Sequence, residues 1–230
     1  MSNLYIVATP IGNLEDITLR ALRVLKEVDL ILCEDTRQTR KLLDHYEIKT
    51  PTLSYHQHSK LGKVDQIAEE LRAGKNIALA SDAGTPGISD PGNYLVSKLM
   101  SSEVYKLEGL KIIPIPGPSA LTAAASISGL PTDEFVFLGF LPHKKGRETL
   151  FREIASSERT VIFYESVHRI EKTLEKLKIM PEIKNRQIVV CREVTKMFET
   201  IYRGTAEEVL NQLKPGEIKG EFVVIVHGLH

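Results

Sequence analysis

Three loops in this sequence are rich in glycine and proline: "TPIGN" (Thr9–Asn13), "SDAGTPGISDPG" (Ser81–Gly92) and "PIPGPSA" (Pro114–Ala120). Glycine permits positive φ and close approach of a ligand to the backbone, while proline stiffens a loop and leaves its carbonyl free. Any one of these loops alone reads as a plain turn. Each, however, directly follows an apolar run that reads as a strand. In a parallel sheet all three then share the carboxyl edge, where open α/β proteins bind ligands. No lysine or arginine lies within 81–92, so a polyphosphate would be poorly served there. A sulfonium or an adenosine would accept carbonyls and Asp82. The dinucleotide fingerprint G-x-G-x-x-G and the phosphate-loop motif G-x-x-x-x-G-K-[ST] are both absent. "GPSAL" departs from the G-x-S-x-G nucleophile elbow, so Ser119 is not read as a hydrolase nucleophile.

Charged residues gather near the same kind of position. "CEDTRQTRKLL" brings Glu34, Asp35 and Thr36 to the end of a second strand. On a helix starting near Thr36, Arg37, Arg40 and Lys41 fall at i, i+3 and i+4 and form one basic face. That face suits phosphate contact or is a solvated surface, and Asp35 or Thr36 also suits an N-cap. "PHKKGRE" places His143, Lys144, Lys145 and Arg147 in a loop after a later strand. "FYESVHR" and "REVTKMFE" add Tyr164, Glu165, His168 and Arg169, then Arg192, Glu193, Lys196 and Glu199. A structural ion-pair network joining Arg169 or Arg192 to Glu165 or Glu193 is the plain alternative to a functional cluster. His56 and His58 alternate along an extended segment with no further histidine or cysteine close by, so no metal is expected.

The elements that must carry these residues follow from hydrophobic periodicity. Up to about residue 128, short apolar strands such as "NLYIVAT", "DLILCE" and "KNIALAS" alternate with amphipathic helices such as "ITLRALRVLKEV". This pattern predicts a mainly parallel, doubly wound sheet. The best internal break is "SGLPTDE" (128–134), after which strands dominate and "RQIVVCRE" with "FETIYRG" predicts a hairpin. The expected fold class is α/β with two subdomains, an N-terminal one over residues 1–115 and a C-terminal one with a mixed sheet over 116–230.

The chain has 230 residues, 42% hydrophobic and 26% charged, with formal net charge +0. That is an ordinary globular composition, so any nucleic-acid contact must come from a local basic face. Cys33 and Cys191 each sit in an apolar run and read as buried thiols in a reducing compartment. The N-terminus lacks a signal-peptide pattern and no apolar run approaches a membrane span. The expectation is a cytoplasmic protein with no membrane partner.

Taken in order, "YIVATPIGNLEDITLRALRVL", "ILCEDTRQTRKLL", "ASDAGTPGISDPG", "PGPSALTAA", "FLPHKKGRE", "FYESVHRI" and "REVTKMFETIYRGT" resemble the tetrapyrrole methylase superfamily, and within it the bacterial 16S ribosomal RNA (cytidine-2′-O)-methyltransferase branch. The resemblance implies S-adenosylmethionine (SAM) held in a cleft between two α/β subdomains, a homodimer, and 2′-O-methylation of a decoding-centre cytidine of 16S rRNA in the small ribosomal subunit. It carries donor-binding roles to Pro10, Ser81, Asp82, Ala83 and Gly84, and to Ile88, Gly117, Ser119 and Ala120. For such a transfer Asp35, Glu34 and Glu165 are the candidate bases or positioning groups, and the sequence does not choose among them. Candidate RNA contacts are Arg37, Arg40 and Lys41, then Lys144, Lys145 and Arg147, then Arg169, Arg192 and Lys196. Many members continue into a C-terminal extension, whereas this sequence stops at His230. Two other readings stay open: a C-methyltransferase acting on a tetrapyrrole precursor, and a non-catalytic RNA- or nucleotide-binding module.

Overall fold

The apolar runs of the first half form five parallel strands in the order β3-β2-β4-β1-β5: β1 Asn3–Val7, β2 Leu30–Cys33, β3 Thr52–Ser54, β4 Ile77–Ala80 and β5 Lys111–Ile115. The computed structural model describes residues 2–56, 61–90, 92–101, 109–213 and 218–229. His58 and Pro91, singled out in the sequence, lie outside the described residues.

Strand β4 shows why this sheet is wound on both faces. Its four residues "IALA" are all buried, and successive side chains point to opposite faces. Ala78 and Ala80 join the cluster made by α1 (Leu19–Glu27) and α2 (Thr36–His45), with Leu25 and Leu43 fully buried. Ile77 and Leu79 join the cluster that includes Ile67 and Leu71 of α3 (Leu61–Arg72) and Leu95 and Leu99 of α4 (Gly92–Ser101). Each fully buried leucine contributes about 1.5–3 kcal/mol of burial energy, which is what holds the helices against the sheet. Thr18 caps α1 by accepting the Ala21 N–H. A short 3-10 turn, Leu14–Asp16, follows the first loop where the sequence suggested only irregular chain; Asn13 caps it.

The second half forms a mixed sheet in the order β6-β7-β10-β8-β9. Its strands are β6 Phe135–Phe140, β7 Thr160–Ser166, β8 Ile188–Arg192, β9 Thr200–Gly204 and β10 Glu221–Val226. Only the β6–β7 pair is parallel; the expected β8–β9 hairpin is present. Helices α6 (Arg147–Ser156), α7 (Ile170–Ile179) and α8 (Ala206–Gln212) share a core with alternate residues of β7, β8 and β10, among them Phe163, Val190 and Phe222. The Ala-rich α5 (Ala120–Ser128) packs on β7 and β10. The chain accordingly parts into two units between Ser119 and Ala120, and α5 belongs to the second.

Register places several chain segments on one edge of this second sheet. Phe140 pairs with Tyr164, Ser166 with Glu221, Phe222 with Arg192, and Arg192 with Thr200. The loops carrying "PHKKGR", "SVHR" and "EVTKMFE" therefore emerge at the same end of the strands.

Candidate functional site

In the first unit the loops after β4, β1 and β5 are neighbours, because those three strands are adjacent in the sheet. Main-chain hydrogen bonds join two of the loops: Thr9 N–H donates to Gly84 O at 2.9 Å, and Gly84 N–H donates to Thr9 O at 3.0 Å. The Thr9 hydroxyl donates to Ser81 O at 3.0 Å, and the Ser81 hydroxyl to Gly84 O at 3.0 Å. The third loop is tied in by the Thr85 hydroxyl, which donates to Pro118 O at 3.2 Å. Gly84 has φ +81°, a conformation that penalises any side chain. A Cβ at Gly117 would stand 3.0 Å from the Ala8 Cβ, so that loop approaches the end of β1 as closely as glycine allows.

The result is three loops locked together largely through backbone groups. Ser81 and Gly84 are buried and serve the loop's own bonding, Pro10 and Ser119 are half-buried, and Asp82, Ala83, Ile88 and Gly117 are exposed. Ala120 follows as the first residue of α5. Thr9 and Thr85 supply much of the bracing, yet the sequence reading gave neither a role; for Thr9, a hydroxyl just past the end of β1 was the available signal. Asp90 closes the far end by accepting the Gly87 and Gly92 N–H groups, each at 2.7 Å.

The strand β2 ends beside β4, and this brings the acidic residues to the same edge. Asp82 Oδ1 accepts the Asp35 N–H at 3.0 Å. Asp35 caps α2 through the Arg37 N–H and is gripped by the Arg37 guanidinium at 2.7 and 3.0 Å. Those bonds from Arg37 hold the Asp35 carboxyl down to about 2. A carboxylate so satisfied is a poor proton acceptor. Glu34 is the opposite case: burial first, then the negative charges of Asp82 and Asp90, push its pKa up. The edge thus gathers carboxylates, which fits a cationic ligand group. Arg40 and Lys41 are exposed on α2 as expected, whereas Arg37 is turned back onto Asp35.

The second unit corrects three sequence expectations. Glu165 is fully buried, and it is not placed to take a proton from a substrate. Its Oε2 accepts from Arg147 at 2.9 Å and from the Thr173 hydroxyl at 2.7 Å. Its Oε1 meets Arg169 at 2.9 Å and the Ser166 N–H at 2.8 Å. Arg147 and Arg169, expected at the RNA surface, are instead largely buried and donate onward to Pro142 O and Leu141 O. The two guanidiniums clamp the base of the "PHKKGR" loop, whose His143, Lys144 and Lys145 are exposed. Among the described residues neither lysine has an ion-pair partner.

The β8–β9 turn is also tightly braced. Arg192 donates to Lys219 O at 2.8 Å and to Phe198 O at 3.4 Å, and Lys196 pairs with Glu193 and Glu221 at 2.9 and 3.2 Å. These two cations are committed to the turn rather than presented outward. Glu193 and Thr195 have φ of 52° and 68°. Such non-glycine conformations cost on the order of 1–3 kcal/mol each and persist only where the surroundings enforce them. Cys33 and Cys191 are buried free thiols, and burial pushes Cys191 up to about 11. Among the described residues no helix is long and apolar enough to cross a membrane.

Comparison with known proteins agrees with this architecture. The family model of Tetrapyrrole (Corrin/Porphyrin) Methylases matches residues 3–210. A protein of Halalkalibacterium halodurans named ribosomal RNA small subunit methyltransferase I is 49% identical over 226 residues, 98% of this chain and 75% of that one. A protein of the same name from Thermotoga maritima is 43% identical over 228 residues, 99% of both chains. Among solved structures, diphthine synthase superposes with a TM-score of 0.74 at 14% identity, covering 99% of this chain and 90% of that one. Uroporphyrin-III C-methyl transferase from Thermus thermophilus, complexed with S-adenyl homocysteine, superposes with a TM-score of 0.62 at 18% identity, covering 99% and 98%. At such identities the structural likeness speaks to the fold alone.

Proposed function

The chain belongs to the tetrapyrrole methylase family, and from that premise we propose that it methylates the 2′-hydroxyl of a cytidine ribose in 16S rRNA of the small ribosomal subunit, with SAM as donor. The observation that carries this reading is identity of 43–49% over 98–99% of the chain to proteins named ribosomal RNA small subunit methyltransferase I. The carboxylates gathered at the three-loop cradle support it, since a sulfonium donor is cationic. The same reading makes the protein a cytoplasmic homodimer.

SAM supplies a methyl group already activated on sulfonium, so the scheme needs no metal. The backbone from Ser81 to Gly84, with Pro10, Ile88, Gly117 and Ser119, would hold the donor. Asp82 and Glu34 would balance its positive charge. Fixing oxygen, carbon and sulfur in line accounts for most of the acceleration in this scheme. Glu34, whose raised pKa makes it the better proton acceptor of the edge, takes the ribose hydroxyl proton, for roughly 10²–10⁴-fold more. Asp35 positions α2 instead, because Arg37 already neutralises it.

Incubation with tritiated SAM and unmodified small subunits, followed by mapping of the label, tests the proposal. One methyl per subunit on a cytidine ribose is expected. Label confined to a base, or transfer to an added porphyrin precursor and to no ribosomal particle, would overturn it.

A further inference from the structure

We infer that Met197 and Phe198, at the tip of the β8–β9 turn, form a stacking platform for an unstacked nucleobase of the RNA substrate. The inference rests on the RNA reading above.

Both side chains are strongly exposed, Met197 at 91% and Phe198 at 66%. The backbone that carries them is nonetheless held firmly. The Thr195 N–H donates to Glu199 at 2.6 Å, the Lys196 N–H to Glu193 O at 2.9 Å, and the Glu199 N–H to Lys196 O at 3.0 Å. Arg192 reaches the Phe198 carbonyl itself at 3.4 Å. The left-handed residues Glu193 and Thr195 lie within this frame. Backbone strain, an ion-pair bracket and a turn of hydrogen bonds thus fix the backbone that carries two exposed apolar side chains. A turn needed only to join two strands requires none of this.

The chemistry of the tip selects its occupant. Lys196 is balanced by Glu193 and Glu221, so the turn presents little net charge and recognises its partner by contact. An exposed phenyl ring is a flat, polarizable surface on which any heterocyclic base can stack, and the thioether of the preceding residue adds a second polarizable group. Two side chains cover far less than the roughly 800 Å² per partner of a stable protein interface, but one base needs no more. The same sheet edge carries the exposed His143, Lys144 and Lys145 at the end of β6, three strands from β8. At about 4.8 Å per strand that is about 15 Å, a span that a few nucleotides of single-stranded RNA cover. Basic side chains for the backbone and an aromatic for the base are the two halves of single-strand recognition.

Phe198→Ala tests the platform, with unmodified small subunits as the substrate and methyl transfer, SAM titration and assembly mass as readouts. The expected result is a fall in kcat/KM for subunits of about 5- to 150-fold, carried by KM, with SAM affinity and thermal midpoint unchanged. Phe198→Trp should restore transfer, whereas Phe198→Leu should not. Alanine within twofold of the parent, or full rescue by leucine, overturns the platform while leaving the methyltransferase reading intact. A changed assembly mass in the alanine variant assigns the tip to a protein contact and overturns it as well. A parent protein that methylates no RNA overturns both readings.

Discussion

The carboxylate of Asp82 accepts the main-chain N–H of Asp35 at 3.0 Å, tying the loop after β4 to the first residue of the "DTR" corner. One side chain therefore shapes the rim of the cradle and also adds charge to it. Asp82→Asn keeps an acceptor oxygen and loses the charge; Asp82→Ala loses both. In calorimetric titration the asparagine variant should bind SAM roughly tenfold more weakly with unchanged stability, as expected for loss of a charge-assisted contact. The alanine variant should in addition lose at most about 1 kcal/mol in urea melts. Unchanged SAM affinity in the asparagine variant would return Asp82 to a purely loop-holding role.

Glu34 and Asp35 should separate in a pH profile. Asp35 is held at about 2 and stays ionised throughout the working range. Glu34 is pushed above its ordinary value of 4.5. A base acts only when deprotonated, so kcat should rise with pH through the raised Glu34 pKa. Glu34→Gln should erase that limb and lower kcat by about 10²–10⁴-fold. Stability runs the other way. The native state holds the Glu34 proton more tightly than the unfolded chain, so this group's contribution is present at low pH and is lost as pH rises through its folded value. The glutamine variant should therefore show a flatter stability profile in that window.

Removing the Glu165 carboxylate should damage the fold. Glu165→Ala leaves two largely buried guanidiniums without their counter-charge, a change that costs about 3–5 kcal/mol. Urea melts should show this loss directly. A variant of unchanged stability that has lost its turnover would reinstate Glu165 as a chemical group.

The lysines of the "PHKKGR" loop should act through charge alone. Lys144→Ala combined with Lys145→Ala should weaken RNA binding and lower its log–log salt slope by about 0.7 for each phosphate contact removed from a single strand. SAM binding should not move. Arg147, buried beneath this loop, does not belong in the test: its replacement would report on the clamp.

Much of this architecture could be read from residue order alone. Short apolar strands such as "IALA", alternating with amphipathic helices, already implied the parallel sheet. What escaped was mostly long-range. Glu165 and Arg147 are eighteen positions apart, and burial of their pair depends on how α6 and α7 close over β7, which no local pattern encodes. Glu165 and Arg169 were visible as an ion pair, but not as a buried one. In "TKMFE" the strand period could not say whether Met197 and Phe198 face the core. The structure leaves both exposed in the β8–β9 turn, which also holds the left-handed residues at 193 and 195.

The exchange between Thr9 and Gly84 is made entirely of main-chain atoms. Its persistence under substitution depends on a pair of backbone torsions rather than on the chemistry of any side chain. Random drift would therefore erode the rim, where Asp82 and Glu34 differ from other residues by their charge, well before it undid the pairing of the two loops. A lineage could change the charges on that rim many times over while inheriting the same loop pairing.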